Sequence, residues 1–440
     1  MADLLHMQAF ELAREHPTPY FVFAPGRLAG ALARFRAFSS SLDLMTEVFY
    51  SYKTNYLPAL RQWLTDAQVG AEVTSPIEWQ LASSRHEPAT IVVNGLGKCA
   101  DGLLDSIVAD LARAPRLVNL ETDTEVALVS RRAPDAVPMA VGLRVAVPEA
   151  GEFGRDPSER WSLGGDKFGW SVDGPAVLQA ARRLRDGSPA VRLEALHLHF
   201  GSQIVSPKSY DLVLWKVAGL LERLRREGIT ISTLDLGGGI ASGLVTKRRT
   251  GPLSAAVRLI GLEIPTRAQQ VPDLEGIASA INTHSGRLAQ LGVQRLLFEP
   301  GRYLAEPSML AVAQVIAVRD DGPRCHAVLN LGTNALKCWR ANETRPMSFD
   351  GCGAGAAQSV ELVGPLCHRS DTFGRVTTPG PIQVGSLVCF DAVGAYTLGD
   401  WVANTWRRPA VYQEDGTELW AAQDLAAWLD PTARTRTRSG

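Results

Sequence analysis

Residues 48–67, VFYSYKTNYLPALRQWLTDA, decide how the chain is read. VFYSY is a short run of aromatic and β-branched residues, which favours a strand. LPALRQWLTDA places Leu57, Leu60 and Leu64 on one helical face behind Pro58, a residue suited to a first helical turn. Lys53 therefore stands where a strand hands over to a loop that feeds a helix. Taken alone, a lysine there is more often a solvated strand end.

The same strand–loop–helix unit recurs outward from this stretch. Strand-like segments occur at 48–53, 70–73, 90–95, 116–121, 139–145, 193–200, 233–238 and 295–301. Helical patterns separate most of them, and Ser75 with Glu78 has capping-box spacing. Eight strands alternating with helices over about 250 residues predict a (β/α)8 TIM barrel, of the alanine racemase-like kind, spanning 26–308. Two segments break the rhythm. Residues 149–170 form a long loop rich in glycine and charge, and 240–290 is too long for one crossover helix. From 309 to 430 the pattern becomes strands punctuated by glycine and proline, a C-terminal all-β domain that the 18–25 strand is expected to join. The 431–440 tail, PTARTRTRSG, lacks apolar residues and is expected to be disordered.

Composition sets limits. The chain has 440 residues, 45 basic and 46 acidic, so no net field attracts nucleic acid. No apolar run approaches the roughly 20 residues of a membrane-spanning helix. The start, MADLLHMQAFELAREH, mixes charges and has no signal-peptide core. Six cysteines without CxxC or metal-ligand spacing suit a reducing cytoplasm and predict no metal.

The barrel assignment gives Lys53 company, because such barrels gather functional residues at the C-terminal ends of their strands. Lys53 ends strand one, and His199 with Ser202 end strand six in HLHFGSQ. Gly237, Gly238 and Gly239 end strand seven in LDLGGG, and Glu299, Gly301 and Arg302 end strand eight in EPGR. A glycine triplet bares backbone N–H groups, which with a nearby arginine can cradle a phosphate. Separately, GGG is more often a tight turn, EPGR a common turn, and His199 a packed histidine. Together they fit pyridoxal 5′-phosphate: a lysine for its Schiff base, a carboxylate for its ring nitrogen, and a flat partner for its ring.

The chain also resembles the fold-type III pyridoxal-phosphate decarboxylases, which group diaminopimelate, ornithine and arginine decarboxylases, and it is nearest the diaminopimelate branch. YSYKTN, AEVTSPIE, VNGLGK, DKFGW, HLHFGSQ, LDLGGG, EPGRYL, GPLCHRSD and DAVGAY match successive family blocks over roughly 18–405. The resemblance implies that Lys53 holds the cofactor and His199 stacks on its ring. It implies that Ser202, Gly238, Gly239, Gly301, Arg302 and Tyr396 line the phosphate side, with Arg302 and Tyr396 also near substrate. Glu299 would pair with the pyridine nitrogen, Cys367 would return a proton after CO2 leaves, and Asp371 would help hold the substrate amine. The Cys-bearing loop of the family reaches into the partner's barrel, which implies a homodimer with shared active sites. A thiol of pKa about 8.5 is a usable acid near neutrality.

Substrate identity is less marked. ETRPMSF resembles the diaminopimelate enzymes' R-P-x-x-Y block, so Arg345 is a candidate to grip a distal carboxylate. Phe349 replaces the tyrosine, and His368 replaces the glutamate that reads the far ammonium, with Arg369 beside it. These changes argue against meso-diaminopimelate. They point to an acidic or extended distal end, either on a free amino acid or on one tethered to citrate or a carrier protein, as in siderophore and antibiotic pathways. A racemase or epimerase and a non-catalytic cofactor-binding paralogue are the alternatives. GPLC…D favours decarboxylation over the first, and the presence of both lysine and cysteine argues against the second.

Overall fold

The computed structural model describes residues 2–147, 167–248, 266–267, 271–321, 325–336, 343–404 and 406–424. Most of the 149–170 loop and the whole 431–440 tail lie outside the described residues.

Eight parallel strands close on themselves. In chain order they are Met45–Ser51, Gly70–Val73, Ile91–Val93, Leu117–Leu120, Met139–Ala146, Val191–His197, Thr233–Asp235 and Arg295–Phe298. Each pairs in parallel with its sequence neighbour, and the eighth returns to the first through Leu296↔Thr46 and Leu297↔Glu47. Strands covered on both faces are mainly apolar: Ile91–Val93 is so throughout, and Leu117–Leu120 is buried at every position with one polar residue, Asn119. Polar side chains enter this interior at the C-terminal ends of the strands, where they form a layer above the apolar core.

Helices pack around the barrel and begin as the sequence suggests, with one shift. Ser75 Oγ accepts from Glu78 N at 3.2 Å, but the Glu78 carboxylate turns back to Thr74 N at 2.7 Å instead of to Ser75. The reciprocal box forms two units later, at Thr122 and Glu125. In the 240–290 region, Leu274–Gln290 is the crossover helix into strand eight. Thr246–Arg248 and Thr266–Arg267 pair with each other, and Thr246–Arg248 also pairs with Glu343–Thr344, the strand just before Arg345.

The remaining strands form a mostly antiparallel sheet. Met309–Asp320 continues directly from the barrel and pairs antiparallel with Tyr20–Phe23, which in turn pairs in parallel with Ala410–Gln413. The N-terminal strand is thus a member of the C-terminal sheet. The two layers meet at the turn after strand one: Tyr396 N donates to Thr54 O at 2.8 Å and Asn55 Nδ2 to Gly394 O at 2.8 Å.

Candidate active site

Lys53 lies in a single 3-10 turn, Tyr52–Thr54, that breaks strand one. The turn is fixed from both sides. The buried Asn55 accepts from Leu57 N at 2.9 Å through its own side chain, and Tyr50 donates its hydroxyl to Asn55 O at 2.9 Å. The Lys53 side chain is 37% exposed, open to the barrel mouth, while its partner Glu72 is fully buried. Lys53 Nζ lies 3.0 and 2.9 Å from the two Glu72 oxygens. Burial alone would depress the ammonium, but Glu72, Tyr396 and Glu299 outweigh it and hold its pKa above the ordinary lysine value.

Below this pair lies a connected layer of carboxyls and amides. Glu72 also accepts from Ser51 Oγ at 2.5 Å and from Asn94 Nδ2 at 3.0 Å. Burial works against its charge, yet Lys53 and these donors keep its pKa below the usual carboxylate range. Asn94 Nδ2 reaches Glu299 Oε1 at 2.6 Å, and Asn119 Nδ2 bridges Asn94 Oδ1 at 2.9 Å and Asp235 Oδ2 at 2.8 Å. Burial, with Asp235 and Glu72 nearby, drives the Glu299 carboxyl well above its usual pKa. Asp235 is pushed up to about 6, chiefly by burial.

The glycine-rich turns close over this layer. Gly237 and Gly239 have φ of 64° and 96°, a left-handed region that favours glycine. A Cβ at Gly238 would collide with Glu299 O, and one at Gly301 with Thr54 Oγ1, which is buried without a hydrogen-bond partner. Gly238 N donates to His199 Nδ1 at 3.3 Å. Burial, with Lys53 and Arg144 adding to it, lowers the His199 pKa to about 3, so the ring is neutral. His197, behind it, is buried and held neutral in the same way, with Nε2 3.7 Å from Glu299 Oε2. The Arg302 guanidinium lies 5.1 Å from the Tyr396 ring and donates to Glu306 at 2.5 Å. The structure thus brings Lys53, His199, Gly238, Gly239, Glu299, Gly301, Arg302 and Tyr396 to one mouth, with Ser202 exposed at its rim.

The other sequence candidates sit elsewhere. Cys367, His368 and Arg369 are exposed in the 364–371 turn. Asp371, expected beside the substrate amine, is 4% exposed and accepts from Thr333 N, Thr333 Oγ1 and Leu366 N at 2.7–2.9 Å, and so pins the turn from beneath. Arg345 is buried, touches Ala392 O at 3.5 Å, leaves Nε unpartnered and has no ion pair among the described residues. Phe349 packs on the sheet core opposite Val388. Sequence reading passed over Glu72, Asn94, Asn119, His197 and Asp235. Their available signal was a single polar letter at the end of an apolar strand.

With this geometry in place, comparison identifies the class. Residues 28–306, more than half of the chain, match the family described as pyridoxal-dependent decarboxylase, pyridoxal binding domain. The chain belongs to that family, whose cofactor is pyridoxal 5′-phosphate. Among its relatives are the diaminopimelate decarboxylases of Methanocaldococcus jannaschii and Vibrio cholerae. The first is 24% identical over 398 residues, covering 89% of this chain and 84% of that protein. The second is 25% identical over 400 residues, covering 88% and 84%. The fold matches the M. jannaschii enzyme in complex with L-lysine at a TM-score of 0.78 and 22% identity, over 96% of this chain and 94% of that one. It also matches a Vibrio vulnificus lysine/ornithine decarboxylase complexed with putrescine at 0.72 and 19%, over 94% and 98%. No helix among the described residues is long and apolar enough to cross a membrane.

The residues present fit the cofactor. The glycine-rich turns keep their backbone free of side chains at the mouth, so a phosphate can approach it, and the neutral His199 offers an uncharged face for a ring. His197, His199 and Glu299 bring candidate ligand atoms within 4.8 Å of one another. Glu299 is already engaged by Asn94 and Asp235, and His199 by Gly238, so this trio is the floor of the cofactor site.

Proposed function

We propose that the chain removes the α-carboxylate of an amino acid or amino-acid conjugate whose far end carries a carboxylate or another acceptor-rich group. The observation that carries this reading is the Lys53–Glu72 pair in the barrel mouth, tied through Asn94 to the buried Glu299 carboxyl. Pyridoxal phosphate, when bound, supplies an aldehyde for amines and a ring that takes up the electron pair left behind as CO2 departs. Lys53 is the amine that holds it, and Glu72 aims that amine and balances its charge. Glu299 would pair with the ring nitrogen and keep a proton on it, and neutral His199 adds no charge against the ring face. Ser202, Gly238, Gly239 and Gly301 would line the phosphate, and Arg302 and Tyr396 would bound that side.

Cys367 acts from a second copy of the chain, returning the proton to the carbon that lost CO2. Its exposure on one chain supports this reading, and so does the rigid anchoring of its turn by Asp371. The working unit is then a homodimer with two shared sites. Arg345 reads the substrate's far end: a buried guanidinium without a carboxylate partner among the described residues suits an incoming anion. Phe349 supplies an apolar wall, and His368 with Arg369 add basic character beside the thiol. The relatives are named for diaminopimelate, but with histidine and arginine after Cys367 we place meso-diaminopimelate behind a substrate whose far end is anionic only. Such a substrate, free or tethered to citrate or a carrier, suits specialised-metabolite assembly, siderophores included.

The test is CO2 and amine release from a panel of free and tethered amino acids, with solvent proton exchange at the α-carbon followed in parallel. Release of CO2 supports decarboxylation, exchange without CO2 indicates a racemase, and neither indicates a binding protein. Efficient turnover of meso-diaminopimelate would retire the substrate reading and leave the reaction intact.

A further inference from the structure

We propose that Asn94 is a positioning residue that joins the two ends of the cofactor site. Its single NH2 group holds both the Glu72 carboxylate that anchors Lys53 and the Glu299 carboxyl assigned to the ring nitrogen. A change of charge at one end is thereby felt at the other. The inference rests on the proposed roles of Lys53 and Glu299.

The hydrogen-bond bookkeeping leaves this amide one orientation. Asn94 is 3% exposed at the end of strand three, and its Oδ1 accepts from Asn119 Nδ2 at 2.9 Å. Its Nδ2 must then face the two carboxyls, at 3.0 Å from Glu72 Oε1 and 2.6 Å from Glu299 Oε1. Asn119 spends its second N–H on Asp235 Oδ2 at 2.8 Å, so all four amide hydrogens are committed. Room for Asn119 is reserved by Gly142 on strand five, where a Cβ would collide with Asn119 Oδ1. Residues from five different strands, or from the turns that end them, are thus locked into one layer.

An amide suits this place for a chemical reason. It cannot ionise, so it ties Glu72 to Glu299 without adding charge to a layer already crowded with acids. The charged or titratable groups facing this layer include Lys53, Glu72, Glu78, Asp235, Glu299, His197, His199, Arg144, Lys98 and Tyr396. Among them, Glu72 is the carboxyl paired with the Lys53 cation, and Glu299 is the one that Asn94 holds at the far end. Removing the two N–H donors should weaken the Glu72 anion and, with it, the positive charge at Lys53. Adding a carboxylate should strengthen that charge.

The experiment uses the full chain loaded with pyridoxal phosphate and reads two quantities other than turnover: the cofactor dissociation constant and the pH midpoint of the bound cofactor's visible band. Asn94→Leu should weaken retention by about tenfold or more, as loss of a supporting partner behind a ligand shell typically does, and should move the midpoint down. Asn94→Asp, nearly isosteric, should move it up. Asn119→Ala, which frees the Asn94 amide to turn, should give a smaller downward shift. If Asn94→Leu fails to fold, the opposite signs of Asn94→Asp and Asn119→Ala still decide the matter. Unmoved midpoints and unchanged retention in those two variants would overturn the inference while leaving the proposed function standing, and a merely structural role would lower the melting temperature without moving the midpoint. A wild-type protein that shows no visible band with the cofactor would remove the reading of Lys53, and this inference with it.

Discussion

The barrel mouth and the 364–371 turn carry the two ends of one proposed reaction, and they are built in opposite ways. At the mouth, the functional side chains leave the last residues of parallel strands, and their charges are balanced inside the chain: Lys53 by Glu72, and Arg302 by Glu306. In the turn, one buried carboxylate, Asp371, anchors the backbone from beneath and leaves Cys367, His368 and Arg369 facing outward. A buried layer can fix protonation states, because desolvation and close partners move pKa values by whole units. The turn has no such buried layer around its exposed thiol. The proposed cofactor end is therefore built from one chain, whereas the proposed proton-donating end would be completed only by a second copy.

The largest expected effect breaks the self-contained half. Lys53→Ala should lose the visible band and at least about a thousandfold of turnover, the scale seen when a covalent catalyst is removed. Borohydride reduction of the loaded wild type should mark the peptide containing Lys53, and a label on any other lysine would sink the assignment. Cys367→Ala, by contrast, should keep the band and lose roughly 10²–10⁴-fold in turnover, as for a positioned general acid. Wild-type rate and product in that variant would mean that another group delivers the proton.

Mixing the two inactive variants sharpens the same contrast. If Lys53 and Cys367 serve one site from different chains, randomly exchanged dimers should recover up to about a quarter of wild-type activity. Exchange is first verified by mass, after which a silent mixture would place both residues on one chain. Arg345→Ala should lower kcat/KM by roughly 30-fold or more, the cost of stripping one partner from a desolvated charge pair. The loss should appear only for substrates with a distal anion, and equal losses on lysine would make Arg345 structural.

Smaller effects come from the anchoring groups. Asp371→Ala should destabilise the fold by about 1–3 kcal/mol by stranding buried donors, and should slow turnover without disturbing the visible band. In the cofactor-free protein, His199 is held neutral down to about pH 3, whereas an unfolded histidine takes up its proton near pH 6.5. Stability should therefore fall as pH drops through this window, because the unfolded chain binds the proton first. His199→Gln should flatten that slope in melting temperature against pH, and an unchanged slope would exclude His199 as its source.

The amino-acid sequence determined much of this by itself. The repeated switch between strand and helix patterns specified the eight-strand barrel, since parallel strands covered by helices must be apolar runs. The family motifs brought Lys53, His199, Glu299 and the glycine triplet into view because each ends a strand, and barrel geometry sends such ends to one mouth. Tertiary structure alone decided which polar groups meet. Asn94 and Glu299 lie 205 positions apart and touch only because the barrel closes, so nothing local to either residue announces the contact. Asp371 shows the converse. Its place four residues after Cys367 resembles a ligand position, but folding turns it inward to Thr333 N and Leu366 N, where a carboxylate relieves backbone donors that burial would otherwise leave unpaired.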